Sequence, residues 1–170
     1  MKTRQSGNLF YFFILNFALF SGYANAQAPP DHDGLLNGEG MGQAQYAEMN
    51  GYPGPKHILD LVDKLKLSDA QKKSIQEIYQ EMNARVKELG KRIIGVEEEM
   101  HEAFRTGLVN ESSVRDDAEQ IGRMRGKLRA VHLIAHIKAK KLMTDDQIAL
   151  YTKLRAEEQS PSSKTTQHKH

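Results

Sequence analysis

Cysteine is absent from the 170 residues. That excludes a disulfide framework, a catalytic thiol and a lipid-attachment cysteine, so if the chain is secreted it is held by packing alone. Long apolar runs are also missing. The longest, Leu9 to Phe20, is interrupted by Asn16 and is too short for a comfortable membrane span. Charge of one sign is scarce: 24 basic residues stand against 22 acidic ones. Two of the basic residues, Lys2 and Arg4, lie at the extreme N-terminus, and the remainder of the chain is close to neutral. Nucleic acid, which requires a clear basic excess, is therefore not an expected partner. Enzyme signatures are missing too. No serine stands in a strand–turn–helix elbow, and no glycine loop joins a strand to a helix to cradle phosphate. Hardly any segment reads as a strand, which predicts an all-α fold and no enzymatic activity.

The N-terminus has the composition of a secretory signal peptide over 1–26. Lys2 and Arg4 precede the apolar run, and Ala24-Asn25-Ala26 is a small-x-small cleavage site. The mature protein is expected in the periplasm. Residues 27–55 are rich in glycine, with Pro29, Pro30, Pro53 and Pro55, and read as a flexible arm. Within it Ala44 to Met49 suits a helical turn or two, and Asn50 to Pro55 is a turn cluster. Asp31-His32-Asp33 reads as solvated tail, and Met41 and Met49 as packing residues. A helical domain is expected over 56–158 and a polar, disordered tail, including His168 and His170, over 159–170.

The helical domain is built on one long antiparallel hairpin. Its first arm runs from Asp69 to about Arg105, with Ile75, Ile78, Met82, Val86, Leu89, Ile93, Val96 and Met100 stepping by three and four. Gly90 and Gly95 within it allow bending or the close approach of a neighbour. Thr106-Gly107 closes this arm, and Asn110 to Ser113 supplies caps for the next. The second arm carries Ile121, Met124, Leu128, Val131, Ala135 and Leu142, and a further apolar face at Leu133, Ile134 and Ile137. A helix apolar on two sides needs more than one neighbour. The short helices on either side, Lys56 to Lys66 and Asp145 to about Glu158, are the expected covers. Two near-copies of one motif bracket the hairpin: Leu67-Ser68-Asp69-Ala70-Gln71 and Met143-Thr144-Asp145-Asp146-Gln147. In each, a hydroxyl caps the first turn and a glutamine three residues on reaches back.

The paired motif residues Leu67, Ser68, Gln71 and Met143, Thr144, Gln147 resemble those of the periplasmic CpxP/Spy family, also called the LTxxQ-motif family. Ser stands for Thr in the first copy and Met for Leu in the second. The stretches Asn50 to His57 and Val131 to His136 are similar to segments of its heavy-metal sensor and resistance members, of the CnrX and ZraP type. The resemblance covers roughly Gly40 to Arg155. It implies a hook-shaped four-helix fold, often dimeric, in proteins that are metal binders, chaperones or stress-signalling regulators.

His132 and His136, spaced i, i+4, share one side of the second arm at the rim of the apolar seam. Folding the hairpin at about residue 109 sets Glu77 and Glu81 beside them, and the helix bearing His57 folds over the same end. CnrX-type sensors draw ligands from an N-terminal helix, a glutamate early in the first arm, and His or Met late in the second. By that resemblance the metal ligands here are His57, Glu77 or Glu81, His132 and His136, although the second N-terminal histidine of those sensors is missing. Imidazoles with a carboxylate suit zinc, nickel or copper alike. As the alternative, the same residues are polar rim groups bonded to carboxylates. The pair is no metalloprotease motif, because Leu133 stands where the general-base glutamate belongs. His101 with Glu97 forms a weaker candidate near the hairpin tip.

The expected function is thus a periplasmic metal-binding stress protein, a sensor or buffer of divalent transition metals. The alternative is an ATP-independent chaperone or envelope-stress regulator, with Lys72, Lys73, Arg85, Lys87, Lys91 and Arg92 on the first arm and Arg123, Arg125, Lys127 and Arg129 on the second offering basic patches. Expected partners are a second copy of the chain, a membrane-bound sensor or regulator, or unfolded clients.

Overall fold

The computed structural model describes residues 31–159. The expected leader lies outside them, as do the first residues of the arm and the expected tail beyond Gln159. Among the described residues there are six helices and no strand: α1 His32–Asn37, α2 Gln45–Met49, α3 Pro55–Asp60, α4 Asp69–Thr106, α5 Glu111–Lys140 and α6 Asp145–Gln159. None is long and apolar enough to cross a membrane.

The hairpin of α4 and α5 dominates the fold. No proline falls inside either arm, so nothing interrupts the i to i−4 ladder over 38 and 30 residues. Gly107 ends α4 in the left-handed conformation, at φ 72°. Asn110 starts α5, its Oδ1 accepting from the Ser112 and Ser113 N–H groups. The arms are antiparallel: Lys138 meets Glu81 near the base, whereas Arg125 meets Glu97 nearer the tip. Met82, Val86, Ile93, Ile94 and Val96 of α4 interlock with Ile121, Met124, Leu128 and Ala135 of α5. A second cluster closes the base, where Ile58, Leu61 and Leu65 meet Ile75, Ala139, Met143 and Tyr151.

Both capping motifs form. Ser68 Oγ accepts from the Gln71 N–H and Gln71 Oε1 from the Ser68 N–H, at 3.2 and 3.0 Å. Thr144 and Gln147 repeat the arrangement at the same distances. The two glutamines also bond each other. Gln71 Nε2 donates to Gln147 Oε1 at 2.9 Å and to the Leu142 carbonyl at 2.7 Å, and Gln147 Nε2 reaches the Leu65 carbonyl at 3.3 Å. Each amide oxygen thus caps its own helix while each NH2 group crosses to the other motif.

The described part of the arm, 31–55, is packed onto the hairpin rather than free of it. Leu35 is buried in the hairpin core, and Arg125 holds Asp31 at 2.5 Å, so Asp31 is an anchor and not solvated tail. The hydrogen bond from Arg125, joined by its charge, outweighs burial and holds the Asp31 carboxyl below its ordinary range. Gly90 makes this docking possible. A Cβ there would stand 2.2 Å from the Leu35 carbonyl oxygen, whereas at Gly95 it would meet nothing.

The short N-terminal helices do not cover the second apolar face of α5. Ile134 and Ile137 remain 51% and 44% exposed. The cover falls on the opposite rim of α5, where His132 and His136 are buried. The turn at Gly51, with φ 71°, carries the chain over these histidines from α2 into α3.

Candidate functional site

Two imidazoles lie where a core would hold apolar side chains. His132 and His136 are only 3% and 6% exposed. Their i, i+4 spacing on α5 points both toward the 52–57 segment and α2. Pro53, Gly54 and Pro55 are buried there, and Pro55 opens α3 at its first turn. Gly54 lies directly against the site: a Cβ on it would be 3.0 Å from His136 Nε2 and 3.1 Å from a Glu48 carboxylate oxygen. Any larger residue would have to push one of these groups aside by a few tenths of an ångström.

The hydrogen bonds leave particular nitrogens open. His136 Nδ1 lies 2.8 Å from the Tyr52 carbonyl, which can only accept. His136 therefore carries its proton on Nδ1, and Nε2 keeps its lone pair. His57 Nδ1 lies 2.5 Å from Glu48 Oε1. A proton on that nitrogen leaves His57 Nε2 open in the same way. His132 Nε2 is buried without a hydrogen-bond partner. His57, His132, His136 and Glu48 line one cavity of about 340 Å³ under the 40–45 loop. The three histidines also border a second hollow of about 380 Å³ toward Tyr79 and Met82.

The electrostatics follow from burial. Desolvation, with the neighbouring His136, pushes the His132 pKa below its ordinary value. Desolvation likewise lowers His136, against opposition from the Tyr52 carbonyl and the charge of Glu48. Both rings are therefore neutral at neutral pH, the form that can ligate a metal. For Glu48, burial raises the pKa, but the hydrogen bond and charge of His57, together with Arg155 and His136, more than reverse it. Glu48 Oε1 also accepts from the Tyr151 hydroxyl at 3.3 Å, and Oε2 lies 3.6 Å from Arg155.

Of the residues picked out from sequence, His57, His132 and His136 are brought together. The two glutamates are not with them: Glu81 is exposed and paired to Lys138 at 3.0 Å, and Glu77 is exposed on α4. Both face away because the site forms on the rim of α5 that α2 and α3 cover. The carboxylate beside the histidines is Glu48, which the sequence reading missed. Its signal was the turn cluster Asn50 to Pro55, which folds position 48 back onto position 57. At the hairpin tip, Glu97 is turned to Arg125 and His101 is exposed.

Among the described residues, no group of three or more His, Asp or Glu side chains is already arranged to hold a metal ion. The donor chemistry nonetheless fits a borderline transition metal: open imidazole nitrogens, one of them an orphan, with a carboxylate alongside. Compared with protein-family models, with curated proteins and with solved structures, the chain matches none.

Proposed function

We propose that the protein is a periplasmic metal-binding stress protein of the CpxP/Spy type, a sensor or buffer for a divalent transition metal such as zinc, nickel or copper. In this reading α3 to α6 form the hook-shaped four-helix core of that family, and His57, His132 and His136 hold the ion. The observation that carries it is the state of the three imidazoles. Two have Nδ1 committed to an orienting oxygen, the arrangement in which Nε2 ligates metals, and the third has a buried, unpartnered Nε2. Burying His132 Nε2 without a hydrogen-bond partner is costly, and a ligand there offsets it. Completing the coordination requires the imidazoles to move together, since no group among the described residues is already arranged to hold an ion.

Calorimetry with zinc, nickel and copper at neutral pH tests the proposal. The wild-type chain should bind at least one of them, and the double variant His132→Ala/His136→Ala should lose at least tenfold in affinity. Equal binding by the two proteins would show the histidines to be rim residues only. Because ligands must be deprotonated, and burial holds His132 and His136 below the ordinary histidine value of about 6.5, affinity should fall as pH drops from there through their lowered values.

A second reading, an ATP-independent chaperone or envelope-stress regulator, is favoured by a different surface. On the face of the hairpin away from α1 runs a groove of about 460 Å³, with Leu89, Val131 and Ile134 along its floor. Arg85, Arg92 and Lys127 flank it. Suppression of client aggregation by wild type, lost in Ile134→Glu, would support this reading.

A further inference from the structure

We infer that Glu48 couples occupancy of the histidine site to the docking of α6. The inference rests on the proposed metal site and adds a regulatory output to it, with Glu48 as a positioning residue rather than a ligand.

Glu48 lies on a five-residue helix with no buried residue, flanked by Tyr46 and Met49, each 71% exposed. The Glu48 carboxylate is held by two other elements. Oε1 takes the His57 imidazole of α3 and the Tyr151 hydroxyl of α6, and Oε2 faces Arg155, one turn further along α6. A single oxygen is therefore shared between an imidazole of the site and a phenol anchored in the base cluster. Tyr151 is only 2% exposed and packs with Ile58, Leu65 and Ile75. His57 is thereby linked to α6 through two hydrogen bonds.

A metal on His57 Nε2 makes Nδ1–H a stronger donor and pins the ring. The Glu48 carboxylate is then pinned in turn, as the acceptor behind a ligating histidine. With Glu48 fixed, Tyr151 and Arg155 gain a rigid acceptor and α6 docks more tightly. Linkage makes the coupling reciprocal: loosening α6 must weaken the metal by the same factor.

The test combines hydrogen exchange of the full chain, with and without zinc, and titration with zinc and cobalt(II). Zinc should slow exchange over 145–158 in the wild type and fail to do so in Glu48→Gln. Zinc affinity should fall about 10–100-fold in Glu48→Gln, as for other residues behind a ligand. It should fall about fivefold or more in Tyr151→Phe and in Arg155→Gln. The cobalt(II) absorption bands should keep their shape in all three variants, since no ligand has changed, and Glu48→Asp should recover part of the affinity. Tyr151→Phe preserves the buried ring, so the packing of the base is retained. If zinc binds through the histidines while exchange in α6 does not move and Tyr151→Phe binds as wild type, the coupling is overturned and the metal site stands. If zinc, nickel and copper all fail to bind the wild type, the metal site itself falls and the coupling with it.

Discussion

A buried histidine gives a fold a pH limit, and this one contains two. His132 and His136 have folded pKa values depressed mainly by desolvation, with Glu48, His57 and the Tyr52 carbonyl as the polar groups around His136. As pH falls, the unfolded chain takes up these protons first, so the folded state loses ground. Stability is complete above the unfolded histidine value of about 6.5 and declines as pH falls from there through the folded values. Glu48 acts lower. Its depressed pKa contributes stability that is present above the ordinary carboxylate range and lost as pH falls through its folded value. Without metal, the urea midpoint should be lower at pH 5.5 than at pH 7.5, and His132→Asn should flatten that difference. Equal midpoints in the wild type would mean that water reaches both rings.

At the scale of elements, the two capping boxes do more than start α4 and α6. Gln71 and Gln147 meet and also satisfy the Leu142 and Leu65 carbonyls, so the two helix starts are joined at the base of the hairpin. Gln71→Ala removes a cap and orphans a carbonyl, a loss of about 1–3 kcal/mol. The double variant Gln71→Ala/Gln147→Ala should cost less than the two single losses added, by about 0.5–1.5 kcal/mol, because each single change already breaks the shared bond. A double-mutant cycle by urea denaturation measures this, and strict additivity would mean that the helices are capped independently. The capping half of this was legible from spacing alone, because a hydroxyl and a glutamine three residues apart meet within a single turn. The joining half was not, since the motifs are 76 residues apart.

For the whole molecule, the surface left over is as informative as the core. Ile134 and Ile137 stay exposed beside the groove between α4 and α5, and no described element crosses them. We expect this face to be covered by a second copy of the chain, so sedimentation at tens of micromolar, about the range in which a standard interface is occupied, should show a dimer. Ile134→Glu with Ile137→Glu should convert it to monomer without loss of helical signal. A wild type that sediments only as monomer would leave the face to another partner.

The helical hairpin, both of its ends and its apolar seam were determined by the sequence itself. Capping, glycine termination and the three-and-four repeat act within a few residues, and no distant contact overrides them across 38 and 30 residues. The pairing of His132 with His136 was legible for the same reason, as a consequence of helical pitch. Their burial was not. It depends on where the 31–57 segment lies, and that depends on Leu35 seating against Gly90 and on Arg125 holding Asp31. Composition suggested a free arm because glycine and proline report only the lack of regular structure, not whether a few anchors tie the chain down. The choice of Glu48 over Glu77 and Glu81 was likewise tertiary. All three stand within reach of a histidine in a chain that can be folded on paper. Only packing decides which rim of α5 is covered, and hence which carboxylate is carried to the imidazoles.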